Sequence, residues 1–247
     1  MAVFDFSEEC ARAAADYGVS AAIDHADHIF RFLCEHPDIG PKAPEHYFSD
    51  GRDSAVKLRA LIEEQRPLGS ISILEFAAGY GRVTRHFARV LPEATCVACD
   101  IHDGAVRFLA GLGVEARGSS AIPEDFALAR SFDVVFALSF FSHLPQATWT
   151  RWLRRLIEHT ADGGLMIFTT HGERSRSLAA PGSIVGNDFF FHSASEQLDL
   201  PSEQYGTALT PFAFVYAQIA SMDRARLIKF QEGYWWIHQD VYVIKRD

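Results

Sequence analysis

The chain has 247 residues, enough for one large domain or a domain with an appendage. Hydrophobic residues make up 48 % and charged residues 22 %, which supplies a packed core and argues against long disordered tracts. The net charge is -9 and no Lys/Arg cluster stands out, so a nucleic-acid backbone is a poor partner, and no apolar run is long enough to cross a bilayer.

The start of the chain is acidic and lacks a basic leader, so the expectation is a soluble, cytoplasmic protein with no membrane partner. Residues 7–35 read as an interrupted helix on Cys10, Ala14, Tyr17, Ile23, Phe30 and Leu33. On it His25 and His28 stand at i,i+3 spacing. With Asp24 or His36 they could ligate a metal, but no third ligand has fixed spacing, so a solvated polar face is favoured and no metal is expected. Pro37 to Pro44 break the chain, and a helix is predicted from about Asp53 to Gln65. From Ile71 the pattern alternates. Strands are predicted at 71–76, 95–99, 114–116, 132–138 and 164–169, with helices at 82–90, 103–109 and 146–159 between them. Strands apolar on both faces and separated by helices imply a parallel sheet covered on both sides. Residues 172–210 break this rhythm with an aromatic knot, Phe189-Phe190-Phe191-His192, and read as a functional loop or lid. A helix at 211–222 and two closing strands at 226–236 and 240–245 suggest a terminal antiparallel hairpin. Of four cysteines, Cys96 and Cys99 have C-x-x-C spacing but lie in a strand rather than at a helix N-terminus, so all four read as structural thiols in a reducing compartment.

The most informative stretch runs from Ile73 to Phe87. An apolar strand ends in Glu75, passes through Ala77-Ala78-Gly79-Tyr80-Gly81, and opens into a helical pattern. Such a turn presents backbone N–H groups to a nucleotide-like ligand. A second acid, Asp100, follows about 20 residues later at a strand end, where such folds bind a ribose.

On these residues the chain resembles the class I S-adenosylmethionine-dependent methyltransferases. Their E/D-x-G-x-G-x-G motif corresponds to Glu75–Gly81, with Ala77 in place of the first glycine. The resemblance covers about residues 70–171 well and 211–247 moderately. It implies a doubly wound Rossmann-like, mostly parallel seven-stranded sheet with a terminal antiparallel hairpin. The resemblance does not account for the N-terminal helical cap (1–68) that precedes the cofactor-binding domain (69–247), nor for that domain's 172–210 insertion. The implied cofactor is S-adenosylmethionine. Asp100 would bind the ribose hydroxyls and Ile101 would flank the adenine, while Ser119 or Ser120 stands where the family often has an acid near the adenine amino group. The Ala137–Pro145 segment, with Leu138, would pass under the methionine moiety.

The chemistry of the cofactor agrees with these residue types. Glu75 offers a charge-assisted acceptor for an amino group, and Asp100 offers two oxygens. Gly79 and Gly81 allow close backbone approach, and Tyr80 lies beside them. A carboxylate needs a donor, for which Arg52 or Tyr47 is available. A hydroxyl acceptor benefits from a general base, and His143 is the first candidate, His192 the second. The expected function is methyl transfer to a small-molecule acceptor at a hydroxyl, of the EC 2.1.1 type, with a homodimer left open. Two readings compete. An NAD(P)-dependent oxidoreductase would need a third glycine where Thr84 stands. A non-catalytic methyltransferase-like domain would keep the fold and bind a partner.

Overall fold

The computed structural model describes residues 6–178, 188–194, 197 and 199–247. The strands form a mostly parallel sheet of seven, with a separate two-stranded ribbon. The chain divides into two compact units, residues 1–119 and 120–247.

The first unit begins with α1 (Ser7–Ala15), α2 (His28–Glu35) and α3 (Ala43–Glu63). The expected helix over 7–35 is therefore two helices. Gly18 adopts φ +61 after α1, and Asp27 caps α2 by accepting from the Phe30 N–H at 3.0 Å. The 53–65 helix starts ten residues earlier than expected, because Pro44 sits in its first turn, where the missing N–H costs nothing. Cys10, Ala13 and Ala14 pack on Tyr47 and Phe48 of α3, with Phe30 and Leu33 of α2 against the same cluster. Gly51 of α3 lies so close to the Arg82 carbonyl that a Cβ would clash with it.

Three parallel strands follow: β1 (Ile71–Phe76), β2 (Ala94–Asp100) and β3 (Glu115–Gly118), in the order β3-β2-β1. Glu75 pairs with Ala98 and Asp100 with Gly118, so both acids lie at carboxyl ends of strands. Between β2 and β3 runs α5 (Asp103–Gly111). The helix expected over 82–90 is mostly absent. A 3-10 turn occupies Thr84–His86, and only Phe87–Val90 form α4. The hydroxyl of Thr84 is drawn back to Glu75 and the Arg85 side chain back to the carbonyl of Gly81, which holds this stretch in a tight turn.

In the second unit β4 (Phe132–Ala137) pairs in parallel with β5 (Thr160–His171), and α6 (Gln146–Glu158) connects them. The helix buries Trp149, Trp152, Leu153, Leu156 and Ile157 and turns Arg151 and Arg154 outward. The register jumps from Phe132↔Thr160 to Val134↔Leu165, so residues 161–164 form a bulge inside β5. After α7 (Glu173–Leu178), the ribbon β6 (Phe190–His192) and β7 (Thr207–Leu209), and α8 (Phe212–Ala220), the chain closes with β8 (Ala225–Trp235) and β9 (Gln239–Arg246). The sheet order here is β4-β5-β9-β8, with β9 antiparallel to both neighbours. The 172–210 stretch thus holds a helix and a ribbon rather than an irregular loop; its residues 179–187, 195, 196 and 198 lie outside the described set. No helix among the described residues is long and apolar enough to cross a membrane.

Candidate functional site

Glu75 is buried at the end of β1 and accepts from the Thr84 hydroxyl at 2.6 Å. Burial pushes its pKa up to about 8; the Thr84 hydrogen bond opposes the rise and the charge of Asp100 adds to it. Thr84, the residue where a dinucleotide fold would have its third glycine, therefore has a positive role. The turn after β1 is left-handed at Ala77 (φ +57), Gly79 (φ +56) and Gly81 (φ +72). The Gly79 N–H donates to Oδ2 of Asp100 at 2.8 Å, and the His102 N–H donates to Oδ1 at 3.0 Å. The His102 ring Nδ1 also lies 2.9 Å from Oδ1, so Asp100 fixes the glycine turn and its Oδ2 keeps a second lone-pair site. A Cβ built at Gly79 would meet nothing within 4 Å, so the turn faces open space, whereas one at Gly81 would strike Leu109. Gly79 leaves room for a ligand and Gly81 leaves room for α5.

The other expected residues of this unit are dispersed in role. Ile101 is 38 % exposed, an apolar surface beside Asp100. Tyr80 packs on Phe108 with ring centroids 5.7 Å apart, and its carbonyl accepts from Arg85. Ser119 donates its N–H to the Asp100 carbonyl at 2.8 Å. Arg52 is exposed, pairs with Asp53 at 3.5 Å and lies over the Tyr17 ring. Tyr47 is not available as a donor to a ligand carboxylate: it is fully buried and donates to Asp27 at 2.5 Å. His25 lies outside any helix, and no cluster of metal-ligating side chains occurs among the described residues.

Sequence reasoning missed Arg85. Its guanidinium donates to the carbonyls of Ser20 (3.0 Å), Ala22 (2.9 Å), Tyr80 (3.1 Å) and Gly81 (2.9 Å), and to the Tyr47 hydroxyl at 3.3 Å. One buried cation thus ties the segment between α1 and α2 to the glycine turn. Nearby, Arg82 forms an ion pair with Asp50 of α3.

In the second unit His143 follows β4. Its Nδ1 lies 2.8 Å from the Gly206 carbonyl. A carbonyl only accepts, so Nδ1 carries a proton, and in the neutral imidazole the lone pair is on Nε2. Tyr205 stacks on the imidazole at 4.7 Å, and the Gly206 N–H returns a hydrogen bond to the His143 carbonyl at 2.9 Å. His171, the last residue of β5, is held neutral: burial, then the neighbouring His143 and His238, lower its pKa to about 3. Ser139, at φ +58, donates its N–H to Thr169 at 2.8 Å, and Gln239 of β9 donates to the Ser139 hydroxyl at 2.8 Å. Leu138 precedes it, half-buried. His192 is exposed on β6. Ser120 is used locally, accepting from the Ile122 N–H at 3.0 Å.

A family model described as a methyltransferase domain matches residues 74–166, from within β1 to within β5. Over that stretch the chain is similar to a methyltransferase domain. No curated protein matches the sequence. Among solved structures, the methyltransferase fold is shared with an S-adenosylmethionine-dependent methyltransferase from Clostridium acetobutylicum, at 12 % identity over 81 % of this chain and 92 % of that one, TM-score 0.57. It is shared with an amino pentose methyltransferase from Micromonospora echinaspora involved in calicheamicin biosynthesis, solved with the cofactor bound, at 15 % identity over 81 % and 92 %, TM-score 0.56. The plantazolicin methyltransferase BpumL, in complex with the demethylated cofactor, matches at 13 % identity over 97 % and 98 %, TM-score 0.59. At these identities the likeness is one of fold.

The matched stretch has residues that fit S-adenosylmethionine. The open space above Gly79, the Asp100 carboxylate beside it and the exposed Ile101 next in sequence offer a close backbone approach, hydroxyl acceptors and an apolar contact in one stretch.

Proposed function

We propose that this chain binds S-adenosylmethionine and transfers its methyl group to a hydroxyl of a small molecule. One observation carries the reading: Asp100 bridges the Gly79 and His102 N–H groups beside a turn that faces open space. Glu75 contributes the acid at the end of β1, and Ser119 follows Asp100 through a backbone hydrogen bond. When bound, the cofactor supplies a methyl group on a sulfonium leaving group, so the protein chiefly positions the nucleophile. His143 Nε2 would take the proton of the acceptor hydroxyl, leaving its oxygen as the nucleophile. The Gly206 carbonyl holds the imidazole in the tautomer this step needs. His192 supports no such role, because it is exposed and none of its described hydrogen bonds orients the ring. The polar contact of Thr84 with Glu75 speaks against the dinucleotide alternative, which requires a glycine there.

Calorimetric titration with S-adenosylhomocysteine tests the cofactor half. Asp100→Ala should weaken binding at least tenfold. Thermal stabilisation by NAD(H) but by neither form of the cofactor would sink the reading. The acceptor half is tested by mass spectrometry over a panel of hydroxyl compounds, with a gain of one methyl group that is lost in His143→Ala and retained in His192→Ala.

A further inference from the structure

Five half-buried rings form a continuous row in the second unit. Tyr205 stacks on His143 at 4.7 Å and 13°. His143 lies 6.1 Å from His171, His171 lies 5.8 Å from His238, and His238 lies 6.2 Å from Trp236 at 25°. They come from the loop after β4, the carboxyl end of β5, the approach to β7 and the β8–β9 turn, the side of a parallel sheet where ligands bind.

The polar edges of this row are largely committed. Nδ1 of His143 donates to Gly206 and Nδ1 of His238 to Trp236, each at 2.8 Å. His171 accepts from the Gln239 amide at 3.2 Å and bonds to the Ala208 backbone. The row therefore offers π faces more than hydrogen bonds.

It ends on a strained tip. The Trp235 carbonyl accepts from the His238 N–H at 3.1 Å, and the two residues inside this turn, Trp236 (φ +48) and Ile237 (φ +58), are both left-handed. Such a turn favours Asn-Gly. A bulky residue there is strained. Ile237 is 77 % exposed, so packing within the fold does not repay its cost. Strain kept at a tip that adjoins an aromatic row is accounted for if the side chains serve a ligand.

We propose that this row is an acceptor subsite for a planar aromatic or heteroaromatic ring, stacked against Trp236 and bordered by Ile237. The inference rests on the methyl-transfer reading and names its acceptor class. A sugar would need several polar partners, whereas a flat ring needs faces, and ring pairs attract beyond the area they bury.

Saturation-transfer NMR on the full chain tests it with catechol, 8-hydroxyquinoline and indole against cyclohexanol. The aromatic probes should bind and cyclohexanol should not. The double variant Trp236→Asn, Ile237→Gly should lose at least tenfold in aromatic affinity, melt at a higher temperature because the turn is relaxed, and bind S-adenosylhomocysteine as before. Trp236→Leu, which keeps apolar bulk without the π face, should show the same loss should the double variant misfold. Equal binding of cyclohexanol, no aromatic binding, or unchanged affinity in the Leu variant overturns the proposal. Absence of S-adenosylhomocysteine binding by the unmodified chain overturns the methyl-transfer reading instead, and the NMR arm still reports on the rings.

Discussion

Ala77 stands at φ +57, a conformation natural to glycine and unfavourable for a residue with a Cβ. Restoring glycine removes a penalty of about 1–2 kcal/mol but returns some backbone entropy to the unfolded chain. Ala77→Gly is therefore expected to raise stability by up to about 1 kcal/mol in urea melts. Glu75 and Asp100 were legible in the sequence because each ends an apolar run, and a strand end has a fixed place in this architecture. Thr84, Gln239 and Tyr205 were not. Each acts through a partner far along the chain or on another element: Thr84 on Glu75 nine residues back, Gln239 on Ser139 a hundred residues back, Tyr205 on the ring of His143. Residue type and local period carry no trace of such pairings.

At the scale of elements, long apolar runs were readable and polar turns were not. The strands and α6 fall close to their predicted places because burial on one or both faces leaves a strong period. The 82–90 stretch has helical spacing yet forms only a short helix after a 3-10 turn, since the hydrogen bonds of Thr84 and Arg85 outweigh helix propensity there. The 7–35 stretch splits where Gly18 and Asp27 provide a stop and a start. Arg85 joins these two corrected regions. Arg85→Met keeps the apolar stem and strands buried carbonyls, so it should cost about 3 kcal/mol, the upper range for hydrogen bonds from a charged donor. Hydrogen exchange should then quicken in residues 18–23 and 77–81 while the β8–β9 hairpin keeps its protection; uniform quickening would count against the clamp.

For the whole molecule, two buried groups set opposite pH limits. His171 has its pKa lowered to about 3 by burial, so its contribution to stability is full above its ordinary value of 6.5 and is lost as pH falls through 3. Glu75 has its pKa raised to about 8, so its contribution is full below 4.5 and is lost as pH rises through 8. Stability against urea should therefore fall at both ends of pH 3–9. Glu75→Gln should reduce the alkaline arm and His171→Gln the acid arm, with Asp240, raised to about 6, and His86, lowered to about 4, carrying the remainder of each. The Arg85 clamp also bears on how the chain is made. Ser20 and Ala22 are bound by a side chain 65 and 63 residues further on. During synthesis Ser20 and Ala22 leave the ribosome before their partner and must wait until the glycine turn and Arg85 have emerged. Closing that long loop defers the docking of the segment around Ser20 and Ala22 to a later step than the folding of local contacts.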